Sequence, residues 1–524
     1  MAEAKDEHAP VRSVTIIGGG TAGWMTAALL SRLLSKVTIK LVESDEIGII
    51  GVGEATIPHI RTFWELAGLD QFAMVHETKA SFKLGIQFVD WGAPGESYIH
   101  GFGKIGRDML WLHTHQLWLA ARERAPSKIG RFDDYAINCV AALKNRFCFA
   151  DLRNKQSPLA DLDFAYHFDA SLFARYLRSQ CEDRRVERIE GKIVDVALRP
   201  DDGFVDHVTL VDGRKVGGDL FVDCSGMRAL LIGDALGVGY EHWNQWLLCD
   251  RAQAVPCESV TPLTPYTRST ARAAGWQWRI PLQHRIGNGH VYSSAHMSDE
   301  EAARILLANL DGAPLADPRP IRFMPGRRVK AWEKNVVAVG LSSGFLEPLE
   351  STSIHLIQTA VHRLLALFPA RGFTSPDIAE FNRQSRDEYE DIRDFIIAHY
   401  KVTRRQGEPF WDYVRTMAIP DSLIERLELF QSSARFFKHG EAELFAEESW
   451  VQVLLGQGLI ARPEPVTEFV PNDELGGYLR DLADVIEDVA EHMPDHAEFL
   501  ARLPGRTPHK GAALPDRVTT RMRR

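Results

Sequence analysis

The stretch VTIIGGGTAGW, residues 14–24, decides how the chain begins to fold. Val14–Ile17 is a short apolar run rich in β-branched side chains, the pattern of a strand buried on both faces. It leads into Gly18, Gly20 and Gly23, which satisfy GxGxxG, and then into a helical stretch from about Ala22 to Leu34. A second apolar strand, Val37–Val42, ends at Glu43, 20 residues beyond Gly23. Strand, glycine turn, helix and strand make a βαβ unit. Gly18 allows the tight turn, Gly20 lets backbone approach a pyrophosphate, and Gly23 lets helix pack closely on strand. The helix opening at Thr21 and Ala22 offers unpaired N–H groups and partial positive charge, which suit phosphate. Glu43 stands where a carboxylate accepts from both ribose hydroxyls. The plain alternative is a glycine-rich turn with no ligand; the flanking elements and Glu43 favour a dinucleotide.

Two later segments favour FAD over NAD. The strand Asp219–Asp223 closes at Cys224-Ser225-Gly226, and the strand Val336–Val339 runs into Gly340 and Leu341. In flavoproteins of the glutathione-reductase type, a late strand like the second returns to the first βαβ unit and its loop lies along the flavin. No second full GxGxxG marks an NADPH domain. The expected fold is α/β: an FAD-binding Rossmann-like (glutathione-reductase-type) fold with a mixed β-sheet substrate region and a helical C-terminal part. Residues 11–370 form the FAD-binding body with an interleaved substrate-side sheet. Residues 371–504 form a helical part covering the substrate pocket, and 1–10 and 505–524 are flexible tails. Within the body, Val186–Leu198 and Val205–Val211 read as alternating strands, with a hairpin signal at Asp212-Gly213. Strands and proline-rich turns are expected from Arg251 to Phe323. A helix begins at Ser375-Pro376-Asp377, with Ile378, Phe381, Ile392, Phe395 and Ile396 at helical spacing.

Composition bounds the function. The 524 residues allow three domains at roughly 150 each. The 45% hydrophobic and 25% charged residues fit a globular chain, excluding a disordered or collagen-like one. With 61 Lys+Arg against 71 Asp+Glu, the net charge of −10 argues against a general nucleic-acid binder. The 6 cysteines show no CxxC spacing, so neither a zinc ribbon nor a thioredoxin-like pair is expected, and no metal site. They suit a reducing compartment. The N-terminus lacks the apolar core of a signal peptide, and no apolar run reaches ~18 residues, so no membrane association and a cytoplasmic location are expected.

The segment GWQWRIP, residues 275–281, contains WxWxIP. Here the chain resembles the flavin-dependent halogenases, the family of the tryptophan halogenases. Gly18–Trp24 resembles their GxGxxGW opening, and GVGEATIP (51–58) their second glycine segment. Ser81-Phe82-Lys83, with the strand Leu84–Trp91, resembles their catalytic-lysine segment. GFLEPLESTS (344–353) resembles their FxEPLEST stretch. The resemblance implies an FADH2-dependent halogenase served by a separate flavin reductase. Oxygen and halide, chloride or bromide, yield hypohalous acid, which halogenates an electron-rich aromatic ring. Lys83 would polarise the hypohalous acid or become a haloamine. Glu350 would pair with Lys83, stabilise the cationic ring and accept its proton; Glu347 competes for that role. Thr352 and Ser353 would hold the halide. Trp276 and Trp278 would stand as gatekeepers between flavin and substrate, where residue type alone reads them as core aromatics. A monomer or homodimer is expected.

Two departures matter. The residue after EPLEST is usually Gly in tryptophan halogenases and is Ser353 here, which makes bromide at least as plausible as chloride. The paired tyrosines that help hold free tryptophan are absent from Glu448–Gln452, so indole or a related aryl compound is as plausible a substrate. The rival readings are a single-component flavin aromatic monooxygenase and a non-catalytic flavin-binding relative.

Overall fold

The opening motif folds into the strand Ser13–Ile17, the helix Thr21–Leu33 and the strand Thr38–Glu43. The computed structural model describes residues 10–46, 53–126 and 129–504. The expected tails, 505–524 and all but Pro10 of 1–10, lie outside the described residues, as do Gly51 and Val52 of the second glycine segment. Ser13–Ile17 is central in a six-stranded sheet, parallel to Thr38–Glu43 on one side and Leu220–Asp223 on the other. Val336–Ala338 pairs in parallel with Leu220–Asp223, so the two late strands do return to the first βαβ unit. Val14, Ile16, Leu220, Val222 and Val337 are wholly buried, as continuous apolar runs in a covered parallel sheet require.

The alternation read over Val186–Leu198 is two strands. Gly191, at φ +156°, breaks the run. Glu187–Glu190 joins the six-stranded sheet, and Ile193–Leu198 pairs with Val205–Leu210. The hairpin at Asp212-Gly213 connects Val205–Leu210 to Lys215–Gly217. The run Ser81–Trp91 also divides. Ser81–Lys83 pairs with Ala165–Asp169, whereas Gly85–Val89 lies in a seven-stranded sheet with Thr267–Arg272 and Ser97–Gly101. Gly85 permits the switch: a Cβ there would sit 2.5 Å from the His100 carbonyl oxygen.

The seven-stranded sheet carries the substrate-side body, including Arg251–Cys257, Gly275–Pro281 and Ile286–Tyr292. The Arg251–Phe323 region also contains a helix, Asp299–Ala308, which the strand reading omitted. Its signals were present: Ser298 caps the Glu301 N–H, and three acids fill the first turn. Farther on, Ser375–Lys401 is one long helix capped by Thr374. Phe381, Ile392, Phe395 and Ile396 face the interior. One core cluster unites Val14 and Ile16 with Phe381, Ala490 and Leu500. A second gathers Trp91, Trp276 and Trp278 with Ile392, Phe395 and Trp450. Five of the six cysteines are buried and all six are free. No described helix is long and apolar enough to cross a membrane.

Candidate active site

The glycines of the first turn divide their work by geometry. Gly18 has φ +108°, and a Cβ there would lie 2.3 Å from the Cys224 carbonyl oxygen. A Cβ on Gly23 would lie 1.8 Å from the Gly18 carbonyl oxygen. Gly20 meets nothing within 4 Å, so it faces open space where backbone is accessible. Gly19, which the motif leaves unspecified, must also lack a side chain: its Cβ would fall 1.5 Å from the Glu43 carboxylate. Glu43 stands at the expected strand end but already has protein partners. It closely contacts Arg188 and accepts from Trp24 Nε1 at 3.3 Å.

A cavity of about 290 Å³ begins at this turn. Gly20, Thr21 and Ala22 line it together with Gly340 and Leu341, and Trp278, Ser351 and Ser353 line it as well. Gly340, at φ +75°, brings its loop against Ala22. A flavin cofactor fits this lining. The open Gly20 and the start of the helix Thr21–Leu33 suit its phosphates, and Ile280, Val291 and Leu356 suit its ring system.

Ser351 joins the cavity to Lys83. The Lys83 side chain is wholly buried, and its Nζ donates to Ser351 Oγ at 2.8 Å and to the Thr56 carbonyl at 3.1 Å. It also lies 5.3 Å from the centre of the Phe102 ring. Burial drives the Lys83 ammonium down to about 7, against the opposing pull of Glu350's charge. The solvated strand-edge lysine that residue type alone suggests is therefore not what the fold makes.

Glu350 does not pair with Lys83 as expected. Among the described residues its ion-pair partners are His100 Nδ1 at 2.9 Å and His399 Nε2 at 2.8 Å. The reason is local. Ser351 adopts a left-handed φ of +59°, so the turn offers its hydroxyl to Lys83 while Glu350 faces the two imidazoles. Burial alone would raise the Glu350 carboxyl; the charges and hydrogen bonds of His100 and His399 outweigh it and hold the group at about 2. Glu347 goes elsewhere. Its Oε2 accepts from Trp276 Nε1 and from the Tyr400 hydroxyl, both at 2.6 Å, and its Oε1 has no partner. Burial pushes Glu347 up to about 7, opposed by those two bonds.

The residues expected to hold the halide open a helix. Thr352 is the N-cap of the helix Ser353–Ala366, and its Oγ1 is buried without a partner. Ser353 is the first helical residue and lies on the cavity wall.

The Tryptophan halogenase family profile matches residues 13–472. The chain belongs to that family. The tryptophan 6-halogenase SttH of Streptomyces toxytricini is 34% identical over 94% of this chain and 98% of its own. The structure of Xcc4156, a flavin-dependent halogenase from Xanthomonas campestris, superposes with a TM-score of 0.90 at 47% identity, covering 95% of this chain and 100% of that one. BrvH, a flavin-dependent halogenase from Brevundimonas sp. BAL3, gives 0.90 at 46% identity over 95% and 99%. This chain is accordingly an enzyme of the flavin-dependent halogenases.

In this halogenase the two tryptophans have unequal positions. The strand Gly275–Pro281 is buried throughout, and the two indole rings lie 6.2 Å apart. Trp278 packs over Gly289 and lines the cavity, with its Nε1 unpartnered. Trp276 stands behind it, tied to Glu347 and 6.4 Å from Trp91. At the C-terminal end, the helix Glu447–Gly456 is fixed by Gln452, which bonds the N–H and carbonyl of Gly101. Trp450 turns into the core, stacked on Phe436 at 5.4 Å. Asp391, His439 and Glu443 bring ligand-type atoms within 4.8 Å, but Arg426 already donates to both His439 and Glu443.

Motif reading missed Thr56, His100, Phe102, Ser351 and His399. For His399 a signal existed: it continues the apolar helical face of Ile392, Phe395 and Ile396, where a buried imidazole needs a partner. Nothing local marks His100, whose role depends on a contact with Glu350 across 250 residues.

Proposed function

We propose that this enzyme uses FADH2 delivered by a flavin reductase to convert halide and O2 into hypohalous acid, and that it halogenates an indole or a related electron-rich aryl ring. The observation that carries the reading is Ser351, which lines the dinucleotide cavity and bonds the buried Lys83 amine. Gly18, Gly20, Thr21, Ala22, Gly23, Glu43, Gly340 and Leu341 would shape or line the cofactor site. Reduced flavin, when bound, supplies the oxidising equivalents from dioxygen. Thr352 Oγ1 and the helix start at Ser353 would hold the halide, because a buried hydroxyl without a partner and a helix N-terminus both favour an anion. Trp278, backed by Trp276, would wall the cavity from the substrate side. Lys83 would receive the hypohalous acid, and positioning it there supplies orientation that a free oxidant lacks. Glu350 would stabilise the cationic ring and take up its proton.

Ser353 in place of glycine supports bromide as the preferred halide, by adding a hydroxyl and bulk to the cavity wall. Equal chloride and bromide in one assay test this; a strong chloride preference overturns it. The absent tyrosine pair supports indole-like substrates over free tryptophan, and tight calorimetric binding of L-tryptophan would refute that. The whole reading is tested with FAD, a flavin reductase, NADH, bromide and indole, followed by mass spectrometry. Brominated indole that disappears with Lys83→Ala is expected. Hydroxylated product without halide would favour a monooxygenase instead, and no product with any aryl compound a non-catalytic relative.

A further inference from the structure

The hydrogen-bond partners of His399 fix where a proton must lie. Its Nδ1 is 2.8 Å from the Phe395 carbonyl, which can only accept, so Nδ1 carries hydrogen. Its Nε2 is 2.8 Å from Glu350 Oε1. An ionised carboxylate can also only accept, so that contact requires a second imidazole proton or a protonated Glu350. Either way one proton occupies the line between Nε2 and Oε1. His100 needs no such charge: its Nδ1 can donate to Glu350 in the neutral ring.

We infer that His399 is an imidazolium and the counter-ion of Glu350, and that by occupying this carboxylate it leaves the Lys83 amine without an ionic partner. This rests on the halogenase reading for its consequence; its premise rests on the hydrogen-bond geometry, with the two imidazoles that hold the Glu350 carboxyl down favouring the imidazolium over a protonated Glu350. The site carries the result in its contacts. No carboxylate oxygen among the described residues lies within 4.0 Å of Lys83 Nζ, whose two hydrogen bonds go to neutral oxygens. The other groups facing His399 are the rings of Phe88, Trp91 and Phe395, none of them titratable. The groups that act on Lys83 and its neighbourhood include Glu350, His100, the buried His167 and the buried Tyr98, whose hydroxyl is pushed up in part by the Glu350 charge. Burial holds Glu350 up and the two imidazoles bring it down, in keeping with a carboxylate rather than an acid at this position. His399 is thus a positioning residue. It sets the charge of Glu350 and, through it, lets a buried lysine become the free amine that a hypohalous acid meets.

The test has an arm that needs no cofactor or activity. In protein labelled with 15N-histidine, the His399 ring is assigned as the signal lost in His399→Gln. At pH 7 both its nitrogens should be protonated in the otherwise unmodified protein. In Glu350→Gln, the same ring should become singly protonated. A singly protonated His399 in the unmodified protein overturns the inference. The second arm is the pH profile of indole bromination. His399→Gln keeps a donor to Glu350 but removes the positive charge, so the carboxylate then acts on Lys83 uncompensated. The limb belonging to Lys83 should move to higher pH by about one unit, with kcat reduced and KM changed less than about twofold. An unmoved limb overturns the inference, because loss of packing alone would lower activity without shifting the profile. If His399→Gln fails to fold, His100→Gln removes the other imidazole on Glu350, so the remaining ring that responds to Glu350→Gln is His399 and its signals still decide. If the unmodified protein brominates nothing, the functional reading fails while the histidine signals still judge the counter-ion.

Discussion

Lys83 shows how far one side chain's chemistry is set by its enclosure. A lysine whose folded value lies near 7, against an ordinary 10.5, is a burden on the fold wherever the unfolded chain would hold its proton. The cost is complete below about pH 7 and fades as the pH rises toward 10.5. Lys83→Met fills the same space without charge. We expect it to raise the melting temperature at pH 6, to lose that advantage by pH 10, and to reduce halogenation on the order of 100-fold or more. A stabilisation independent of pH would mean that Lys83 is not held as described. The glycines give a second contrast at this scale. Gly20 has φ −76° and faces the open cavity, so Gly20→Ala should fold with stability changed by less than about 1 kcal/mol. It should nevertheless bind flavin more weakly in a fluorescence titration. Gly23→Ala must displace the Gly18 carbonyl, and a melting temperature unchanged by it would contradict the packing.

The turn between the strand Gly344–Phe345 and the helix Ser353–Ala366 carries Glu347, Glu350 and the residues proposed to hold the halide. Its two glutamates are gripped by neighbouring residues of one helix, Glu347 by Tyr400 and Glu350 by His399. Glu347 also fixes Trp276, so this turn would set the proposed tryptophan wall. Its folded value near 7 lies above the ordinary 4.5, so its stability penalty is absent below pH 4.5 and grows until about pH 7. Glu347→Gln, permanently neutral, should therefore be more stable than the unmodified protein at pH 8 and equal to it at pH 4.5. Glu347→Ala strands two buried donors and should cost ~2–4 kcal/mol at pH 4.5, where the carboxyl is neutral in the unmodified protein, and less at pH 8, where it also removes the penalty of the buried charge. It should also raise the flavin oxidised per brominated product as the wall loosens; unchanged coupling would remove Glu347 from that role. Much of this element was legible beforehand, because EPLEST is local. Its partners were not. Gly18, Gly20 and Gly23 announce themselves by spacing, whereas Gly19 is required only because Glu43 folds back over it. The break at Gly85 depends on strand partners near residues 100 and 270, which no window around Lys83 contains.

Across the whole molecule, the expected division at residue 370 meets a continuous interior. The Rossmann-like sheet and the helical C-terminal part share side chains: Val14 and Ile16 lie in one cluster with Ile486, Ala490 and Leu500. The substrate-side sheet shares the other cluster with Ile392, Phe395 and Trp450. Lys83's strand is joined to the same C-terminal region, since the Phe82 N–H donates to His496 Nε2 at 3.1 Å. A helical part that merely covered a finished pocket would leave a stable flavin-binding body behind when removed. One that completes the core and supplies His399 and Tyr400 to the site would not. We expect a fragment ending at residue 370 to expose Phe82, Trp91 and the inner face of the helix Ser353–Ala366, to lack a sharp thermal transition, and to bind no flavin. The full chain should unfold in a single transition, with loss of helical signal and of tryptophan burial coinciding. Tight flavin binding by the fragment, or two separated transitions, would restore a boundary near residue 370 and make the C-terminal helices a lid rather than part of the body.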